Sequence, residues 1–316
     1  MTNALVFPGQ GSQAIGMGKA LYDNFAVARE VFKEVDEALS QNLTKVMFEG
    51  PDDALTATQN AQPAIMACSM AALHVLEREA GLDVSAMRCV AGHSLGEYSA
   101  LCAARAISLA DCARLLRIRG AAMQAAVPSG MGSMAAILGM DIDAVRVIVQ
   151  DISLTLPAHQ ALDIANHNGT AQIVISGSNA AIDAAMERAK AAGAKRAVLL
   201  AVSAPFHSKL MTPAADTMRE ALADVTVNVP CTPLIANVTA DLASDPDAIR
   251  ALLVEQVTGM VRFVESIEKM ASLGVTHVTE IGQGNVLAGL IKRIAGDMVV
   301  VSVGTPEDIA TLARVA

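Results

Sequence analysis

The chain has 316 residues and a net charge of −9, and its composition is 53% hydrophobic but only 3% aromatic. This length allows one large α/β domain, or a large domain with a smaller companion. The acidic balance excludes a typical nucleic-acid-binding protein, because phosphate contacts need clustered lysine and arginine. The sequence has neither a run of about eighteen apolar residues nor a secretory signal pattern, so we expect a cytoplasmic protein with no membrane partner.

Short β-rich segments alternate with helical segments along most of the chain. This alternation predicts an α/β fold with a mainly parallel sheet flanked by helices. The predicted strands of that sheet are residues 4–7 (ALVF), 88–91 (RCVA), 233–238 (PLIANV), 277–281 (HVTEI) and 298–303 (MVVVSV).

The order of elements changes between residues 128 and 202. The pattern there is β-α-β-β-α-β, which is the order of a ferredoxin-like unit. We predict an inserted subdomain at 128–202, within a large catalytic domain made of 1–127 and 203–316. The strands of the subdomain are expected at 132–138, 161–166, 171–177 and 196–202, and its helices at 141–150 and 179–192.

A glycine-rich loop, FPGQGSQA, follows the first predicted strand. Residues 9–14 match the G-x-G-x-x-A dinucleotide fingerprint, and an oxidoreductase is therefore one alternative. That fingerprint needs a second strand about twenty residues later, whereas residues 28–36 have a helical pattern. The loop can instead present backbone N–H groups to a developing oxyanion. We therefore expect no nucleotide cofactor. The five cysteines lack metal-binding spacing, so we expect reduced thiols and no metal.

The stretch CVAGHSLGEYSALCAARA places Ser94 between Gly92 and Gly96, after an apolar run and before an alanine-rich one. Glu97 follows Ser94 by three residues, and the pair also fits a helix capping box. A capping box needs no flanking glycines, whereas a strand-to-helix nucleophile elbow needs them so that the turn can expose the hydroxyl. The glycines favour Ser94 as a nucleophile.

A serine nucleophile needs a base, and the chain has six histidines. His207 lies in SAPFHSKLM, between a strand broken by Pro205 and a predicted helix, in a loop of the kind where functional residues concentrate. His93 adjoins Ser94 and is expected to brace the turn. The other histidines have contexts typical of packed or solvated side chains: His74, His159, His167 and His277. His207 is the candidate base, with packing or capping as the alternative.

Six motifs occur in order over nearly the whole chain: FPGQGSQ, GHSLGEYSAL, RIRG, ANHNG, SAPFHSKLM and EIGQGNVLAGLIKR. Together they resemble the malonyl-CoA:acyl carrier protein transacylases of bacterial fatty-acid synthesis. The resemblance implies an α/β-hydrolase-like core with an inserted ferredoxin-like subdomain. It also implies ping-pong transfer of malonyl from malonyl-CoA to the pantetheine thiol of acyl carrier protein, through a malonyl-serine. We expect a monomer without cofactor or metal.

The same resemblance implies roles for individual residues. Ser94 is expected to be the nucleophile and His207 the base of a Ser-His dyad, with the base oriented by a main-chain carbonyl near Gln256. The backbone N–H groups of Gln10 and Leu95 are expected to form the oxyanion hole. The sequence departs from the family near Gln256, where Met260 and Phe263 replace the usual proline and tryptophan.

Four side chains are expected to recognise the substrate. Arg119 is implied as the clamp for the malonyl carboxylate, since a guanidinium binds a carboxylate bidentately and keeps its charge; the alternative is a solvated helix arginine. Asn166 either frames the acyl pocket or caps a turn. Phe206 precedes the base, and in the family that the chain resembles a residue at this place faces the acyl α-carbon. The resemblance therefore implies that Phe206, with Leu95, excludes a methyl branch and favours malonyl over methylmalonyl; the alternative is ordinary packing.

The carrier protein is acidic, so docking on this acidic chain needs a local basic patch. The candidates are Lys190, Lys195, Arg196 and Lys209, and the alternative is that these are ordinary solvated charges. A thioesterase or lipase would share the elbow and the histidine but would have no need for Arg119. The sequence leaves open whether the carrier serves fatty-acid or polyketide assembly.

Overall fold

The computed structural model describes residues 2–128, 130–169 and 172–314. In this part of the chain the strands are β1 (Asn3–Phe7), β2 (Cys89–Gly92), β3 (Gly132–Leu138), β4 (Leu162–His167), β5 (Gln172–Ser178), β6 (Arg196–Leu199), β7 (Leu234–Ile235), β8 (Leu242–Ala243), β9 (His277–Ile281) and β10 (Val299–Val303).

The helices in the same residues are α1 (Lys19–Asn24), α2 (Ala26–Leu39), α3 (Leu43–Glu49), α4 (Asp52–Thr56), α5 (Thr58–Glu79), α6 (Gly96–Ala103), α7 (Leu109–Ala125), α8 (Ile142–Ser153), α9 (Asn179–Ala191), α10 (Thr212–Ala223), α11 (Pro246–Thr258), α12 (Phe263–Ser272), α13 (Val286–Ile294) and α14 (Pro306–Ala313). Short 3₁₀ turns occupy Val84–Ala86 and Lys209–Met211. Among these helices none is both long and apolar enough to cross a membrane.

The larger sheet has the strand order β10-β9-β1-β2-β7-β8 among the described residues. Its neighbouring strands are parallel except for the pair β7 and β8, so the prediction of a mainly parallel sheet is confirmed. Phe7 at the end of β1 pairs with Gly92 at the end of β2. The glycine-rich loop and the Ser94 turn therefore leave the sheet side by side, at the same edge.

The smaller sheet has the order β4-β5-β3-β6, and its pairs are antiparallel. With α8 and α9 the segment follows the predicted order β-α-β-β-α-β, which is confirmed. Ala171, the predicted first residue of the third strand, lies outside the described residues, and β5 begins at Gln172. β6 ends at Leu199, so the prediction that this strand reaches residue 202 is wrong; residues 200–202 line a cavity instead.

The predicted strand at 233–238 is also too long, because β7 contains only Leu234 and Ile235. Asn237 leaves the sheet and its side chain bonds to the backbone of Ser94. The short antiparallel strand β8 has no counterpart in the sequence prediction.

Helix α5 lies in the main hydrophobic core beside the larger sheet, and most of its side chains are buried. It packs against α2 and α7, in a core built mainly from alanine, leucine, valine and methionine. A Cβ on Gly120 of α7 would lie 2.6 Å from the backbone of Thr58 and Gln59, so only glycine permits this approach of α7 to the start of α5. The close contact brings Arg119 beside Gln62 of α5.

Candidate active site

Ser94 lies at a sharp turn between β2 and α6. Its φ is +53°, a left-handed conformation that is strained for a residue with a side chain. A Cβ on Gly92 would lie 1.9 Å from the backbone of Gly96, and a Cβ on Gly96 would lie 2.2 Å from the carbonyl oxygen of Phe7. Neither position can carry a side chain, so the turn has the geometry of a nucleophile elbow.

The hydroxyl of Ser94 is directed at His207. Ser94 Oγ lies 2.7 Å from His207 Nε2, while His207 Nδ1 lies 2.9 Å from the carbonyl oxygen of Gln256. The carbonyl oxygen of Gly259 is 3.1 Å from the same nitrogen. Carbonyls only accept hydrogen bonds, so Nδ1 carries the proton and Nε2 accepts from the serine hydroxyl. The imidazole therefore has the tautomer that can take the serine's proton.

Burial and, to a smaller extent, the neighbouring charge of Arg119 together lower the pKa of His207 to about 3. The two backbone carbonyls at Nδ1 act in the opposite sense but are outweighed. The imidazole is consequently neutral near pH 7, as a general base must be before it reacts. His207 also has a positive φ, +55°, so both partners of the pair have strained backbones.

Arg119 is almost completely buried, at 1% exposure. Its Nη1 donates to Gln62 Oε1 at 2.8 Å, and its Nη2 donates to Ser94 Oγ at 3.2 Å and to Gln256 Oε1 at 2.9 Å. Among the described residues no carboxylate pairs with this guanidinium within 4 Å, and Nε has no partner. Burial lowers the pKa of Arg119, but a guanidinium stays protonated in proteins. A buried positive charge therefore lies beside the serine hydroxyl, where an anionic group can bind it.

The side chains of Asn237, in the turn after β7, and of Gln256, in α11, hold the backbone of Ser94. Asn237 Oδ1 accepts from Ser94 N at 2.8 Å, and Asn237 Nδ2 donates to the Gly92 carbonyl at 2.7 Å. Gln256 Nε2 donates to the Ser94 carbonyl at 2.9 Å. Glu97 Oε2 accepts both from Gln256 Nε2, at 2.7 Å, and from Asn237 N, at 3.1 Å. These contacts stabilise the strained turn from behind.

Sequence reasoning missed Asn237 and considered Glu97 only as part of a capping box. The structure excludes that alternative, since α6 has no side-chain cap and Glu97 is 0% exposed beneath the turn. In the sequence, the apolar residues around Glu97 were the only indication that this side chain is buried. For Asn237 the sequence carried no signal, because its partner Ser94 is 143 residues away.

A cavity of about 360 Å³ opens onto Ser94, Arg119 and His207. Strand residues of the smaller sheet line it together with loop and helix residues from the rest of the chain, and the lining includes three further predicted site residues: Gln10, Asn166 and Phe206. Leu95 is outside the lining and its side chain is 1% exposed, so only its backbone can act in the site. The expectation that the Leu95 side chain helps to exclude a methyl branch is therefore wrong. The backbone N–H groups of Gln10 and Leu95 have no hydrogen-bond partner among the described residues.

His93 lies behind the elbow, where its Nε2 is 2.7 Å from Asn168 Oδ1 and its ring packs 5.5 Å from that of Phe263. Burial lowers the pKa of His93. Asn168, which sequence reasoning missed, also lines the cavity. The contact between His93 and Asn168 links the Ser94 turn to the end of β4.

The remaining histidines lie outside the cavity lining. His167 Nδ1 is 3.1 Å from Glu265 Oε2, His159 is exposed, and His74 and His277 are half-buried. None of these four contacts Ser94 in the described structure, so His207 is the histidine placed to act on the serine hydroxyl.

The predicted docking residues are exposed. Lys209 lies 3.9 Å from Asp163, whereas Lys195 and Arg196 make no ion pair with any described residue. Arg196 is the first residue of β6 and Lys195 precedes it, and the other end of this strand leads into the cavity wall. An exposed arginine that sequence reasoning did not select, Arg293 of α13, lines the cavity itself.

The glycine-rich loop does not continue into a dinucleotide-binding unit. Helix α2 occupies the position where a second strand is required, as the helical pattern predicted. The loop also folds on itself, with Gly11 N donating to Gln13 Oε1 and Ser12 Oγ donating to the Gly9 carbonyl. The oxidoreductase alternative therefore has no structural support.

Comparison with known proteins agrees with this geometry. Residues 4–302 match the family described as "Acyl transferase domain". The malonyl CoA-acyl carrier protein transacylase of Bacillus subtilis is 45% identical over 306 residues, covering 97% of this chain and 94% of the relative. The crystal structure of acyl-carrier-protein-S-malonyltransferase from Bartonella henselae is 55% identical, with a TM-score of 0.95 over 100% of this chain and 99% of that one.

A third similar structure is a malonyl-transacylase in complex with a type II PKS acyl-carrier protein. It is 37% identical to this chain, with a TM-score of 0.95 and 100% coverage of both chains. The match of fold and sequence over the full length of these relatives shows that the chain belongs to the acyl transferase family, among the malonyl CoA-acyl carrier protein transacylases.

Proposed function

We propose that this chain transfers malonyl from malonyl-CoA to the pantetheine thiol of acyl carrier protein, through a malonyl ester of Ser94. One observation carries the proposal: Ser94 Oγ has the Nε2 of His207 at 2.7 Å and the Nη2 of buried Arg119 at 3.2 Å. A nucleophile, a base and a carboxylate-binding cation thus meet at one oxygen. A thioesterase or lipase needs the first two groups but has no use for the third.

The first half-reaction begins when Ser94 Oγ attacks the thioester carbonyl carbon of malonyl-CoA and its proton moves to His207 Nε2. The negative charge on the carbonyl oxygen is stabilised by the backbone N–H groups of Gln10 and Leu95. The C–S bond then breaks, and the departing sulfur takes the proton from His207. Arg119 binds the free malonyl carboxylate with its guanidinium throughout.

The second half-reaction repeats these steps with the carrier. The pantetheine thiol gives its proton to His207 Nε2 and its sulfur attacks the ester carbonyl carbon. The C–O bond to Ser94 breaks, and Ser94 Oγ recovers the proton. The main-chain carbonyl of Gln256 keeps the His207 imidazole in the same orientation during both half-reactions. Its 2.9 Å contact with His207 Nδ1 supports this role.

Two residues of the cavity wall have proposed roles in acyl recognition. Asn166 frames the pocket from β4, supported by its place in the lining and its burial. Phe206 fills the space that a methyl branch on the acyl α-carbon would need, supported by its position next to His207 in the same lining.

The proposed architecture is an α/β-hydrolase-like domain of residues 1–127 and 203–316, with a ferredoxin-like subdomain at 128–202. The strand order of the smaller sheet and its β-α-β-β-α-β sequence support the second assignment. Independent expression of 128–202, followed by circular dichroism and thermal melting, would test whether that boundary defines a folding unit.

We place the enzyme in the cytoplasm as a monomer. The five cysteines are all free thiols, which suits a reducing compartment. Analytical ultracentrifugation and fractionation of the native source would test these two assignments.

The decisive experiment incubates the protein with malonyl-CoA alone and follows intact mass and free malonate. We expect a stable malonyl-protein that loses its label when holo acyl carrier protein is added. Ser94→Ala should form no adduct while keeping the fold, because it removes only the attacking hydroxyl. Adduct formation by Ser94→Ala would overturn the assignment of the nucleophile, and accumulation of free malonate without adduct would indicate a hydrolase.

A further inference from the structure

The carboxyl group of Glu97 lies directly beneath the reacting groups without touching the cavity. Glu97 is 0% exposed, and its Oε2 accepts from Gln256 Nε2 at 2.7 Å and from Asn237 N at 3.1 Å. Its Oε1 is buried and has no partner among the described residues. A buried carboxylate with an unsatisfied oxygen is costly, so its presence here needs an explanation.

The contacts of Glu97 determine which way the Gln256 amide faces. Both Glu97 Oε2 and the Ser94 carbonyl oxygen accept hydrogen bonds, so they hold the Nε2 end of Gln256. The Oε1 end of Gln256 is then left to accept from Arg119 Nη2 at 2.9 Å. A reversed amide would turn an N–H group toward the guanidinium and lose that contact. Glu97 therefore orients Arg119 through Gln256.

Glu97 also acts on the charge of the site. The charged or titratable groups that face it are Arg119 of α7 and the neutral phenol of Tyr98 on its own helix; Gln256 and Asn237 are uncharged. Burial raises the pKa of Glu97 to about 7, although its two hydrogen bonds and Arg119 act in the opposite direction. A proton on Oε1 would disturb neither contact, because both are made to Oε2.

We infer that Glu97 is a positioning residue for malonyl loading: it orients the Gln256 amide and Arg119, and it gives up its negative charge when the malonyl carboxylate binds Arg119. The inference rests on the proposed function. Two carboxylates facing one guanidinium repel each other, so the bound malonyl group favours protonated Glu97. Linkage then requires that ionised Glu97 weakens binding of the malonyl group by the same factor, and weaker binding lowers the second-order rate constant of loading.

The test measures the second-order rate constant of malonyl-serine formation by rapid-quench mass spectrometry, from pH 6 to pH 8.5. Glu97→Gln keeps an acceptor oxygen for Gln256 and Asn237 but cannot ionise. We expect its rate constant at pH 6 to be within roughly threefold of wild type, and the wild-type to variant ratio to fall by at least roughly threefold as the pH rises. His207 contributes no such change, since its pKa is about 3.

Glu97→Leu removes the acceptor and should lower the rate constant by at least roughly tenfold at every pH, as expected when hydrogen bonds to a charged group are lost. Rescue by Glu97→Gln separates positioning from bulk destabilisation. Glu280→Gln is the matched control: Glu280 is equally buried but bonds to Leu287 N, Ala288 N and Ser302 Oγ instead. Its pH profile should follow that of wild type.

Parallel pH profiles for wild type and Glu97→Gln would overturn the inference, as would Glu97→Gln losing as much activity as Glu97→Leu. If Glu97→Leu does not fold, comparison of the wild-type and Glu97→Gln pH profiles still tests the inference. Wild-type protein that forms no malonyl-serine at any pH would instead refute the proposed function, so the two failures are distinguishable.

Discussion

The two sides of the acyl cavity are built differently. One side, here called the floor, is formed by Ser94, His207 and Arg119. The backbones of Ser94 and His207 are strained, since both residues have a positive φ, and Arg119 carries a buried charge. Another part of the cavity wall comes from the smaller sheet, where Met134, Asn166 and Val174 lie on antiparallel strands and no charged side chain of the described residues lines the cavity. In the proposed mechanism the bond-making groups are therefore confined to the floor, and the wall and the residues next to it are proposed to control what enters.

The largest expected effect comes from the floor. His207→Ala should lower both half-reactions by roughly 10²- to 10⁴-fold, because the same imidazole moves the proton in each. Stopped-flow release of CoA and carrier malonylation would measure the two separately. His159→Ala, which removes an exposed histidine, is the control and should resemble wild type. Near-normal turnover by a folded His207→Ala variant would show that another residue is the general base.

Arg119→Ala should separate charge recognition from acyl transfer. We expect malonyl transfer to fall by roughly ten- to a hundredfold, as charge-assisted hydrogen bonds are lost, while acetyl transfer gains relative to it. Competition between malonyl-CoA and acetyl-CoA gives the ratio. Arg114→Ala, on the exposed face of the same helix, is the matched control. Equal loss for both substrates would make Arg119 structural.

Phe206 lies at the junction of floor and wall, and its effect should be on selectivity. Wild-type protein should prefer malonyl-CoA over methylmalonyl-CoA by at least about tenfold, since one extra methyl in a tight site costs roughly 1–3 kcal/mol. Phe206→Ser should narrow the ratio, mainly through faster methylmalonyl transfer. If both activities fell in parallel with the ratio unchanged, Phe206 would be a packing residue.

Substitutions of exposed basic residues at the edge of the smaller sheet should have the smallest effect on activity. Replacing Lys195 and Arg196 with glutamate reverses their charge. It should raise the KM for acyl carrier protein a few-fold and leave self-acylation by malonyl-CoA unchanged, because exposed charges act mainly on the rate at which the two proteins associate. Arg146→Glu, on α8 of the same unit, controls for general charge repulsion. An unchanged KM would place carrier docking on another surface.

Much of the architecture could be predicted because it depends on local patterns. The hydrophobic runs of β1, β9 and β10 and the helical spacing of α2 were sufficient to place those elements. The hydrophobic runs at 196–202 and 233–238 predicted strands that are too long, since β6 ends at Leu199 and β7 at Ile235. Asn237 is the clearest case: a residue typical of a strand's end bonds to the backbone of a distant turn.

The sequence by itself determined the family and singled out Ser94, His207 and Arg119, since glycine spacing, a loop histidine and an arginine motif are local features. Only the tertiary structure decided how they act together. It placed Gln256 so that its carbonyl, amide nitrogen and amide oxygen contact His207, Ser94 and Arg119 respectively. It also buried Glu97 behind them, because desolvation and hydrogen-bond partners depend on elements that are far apart in the chain.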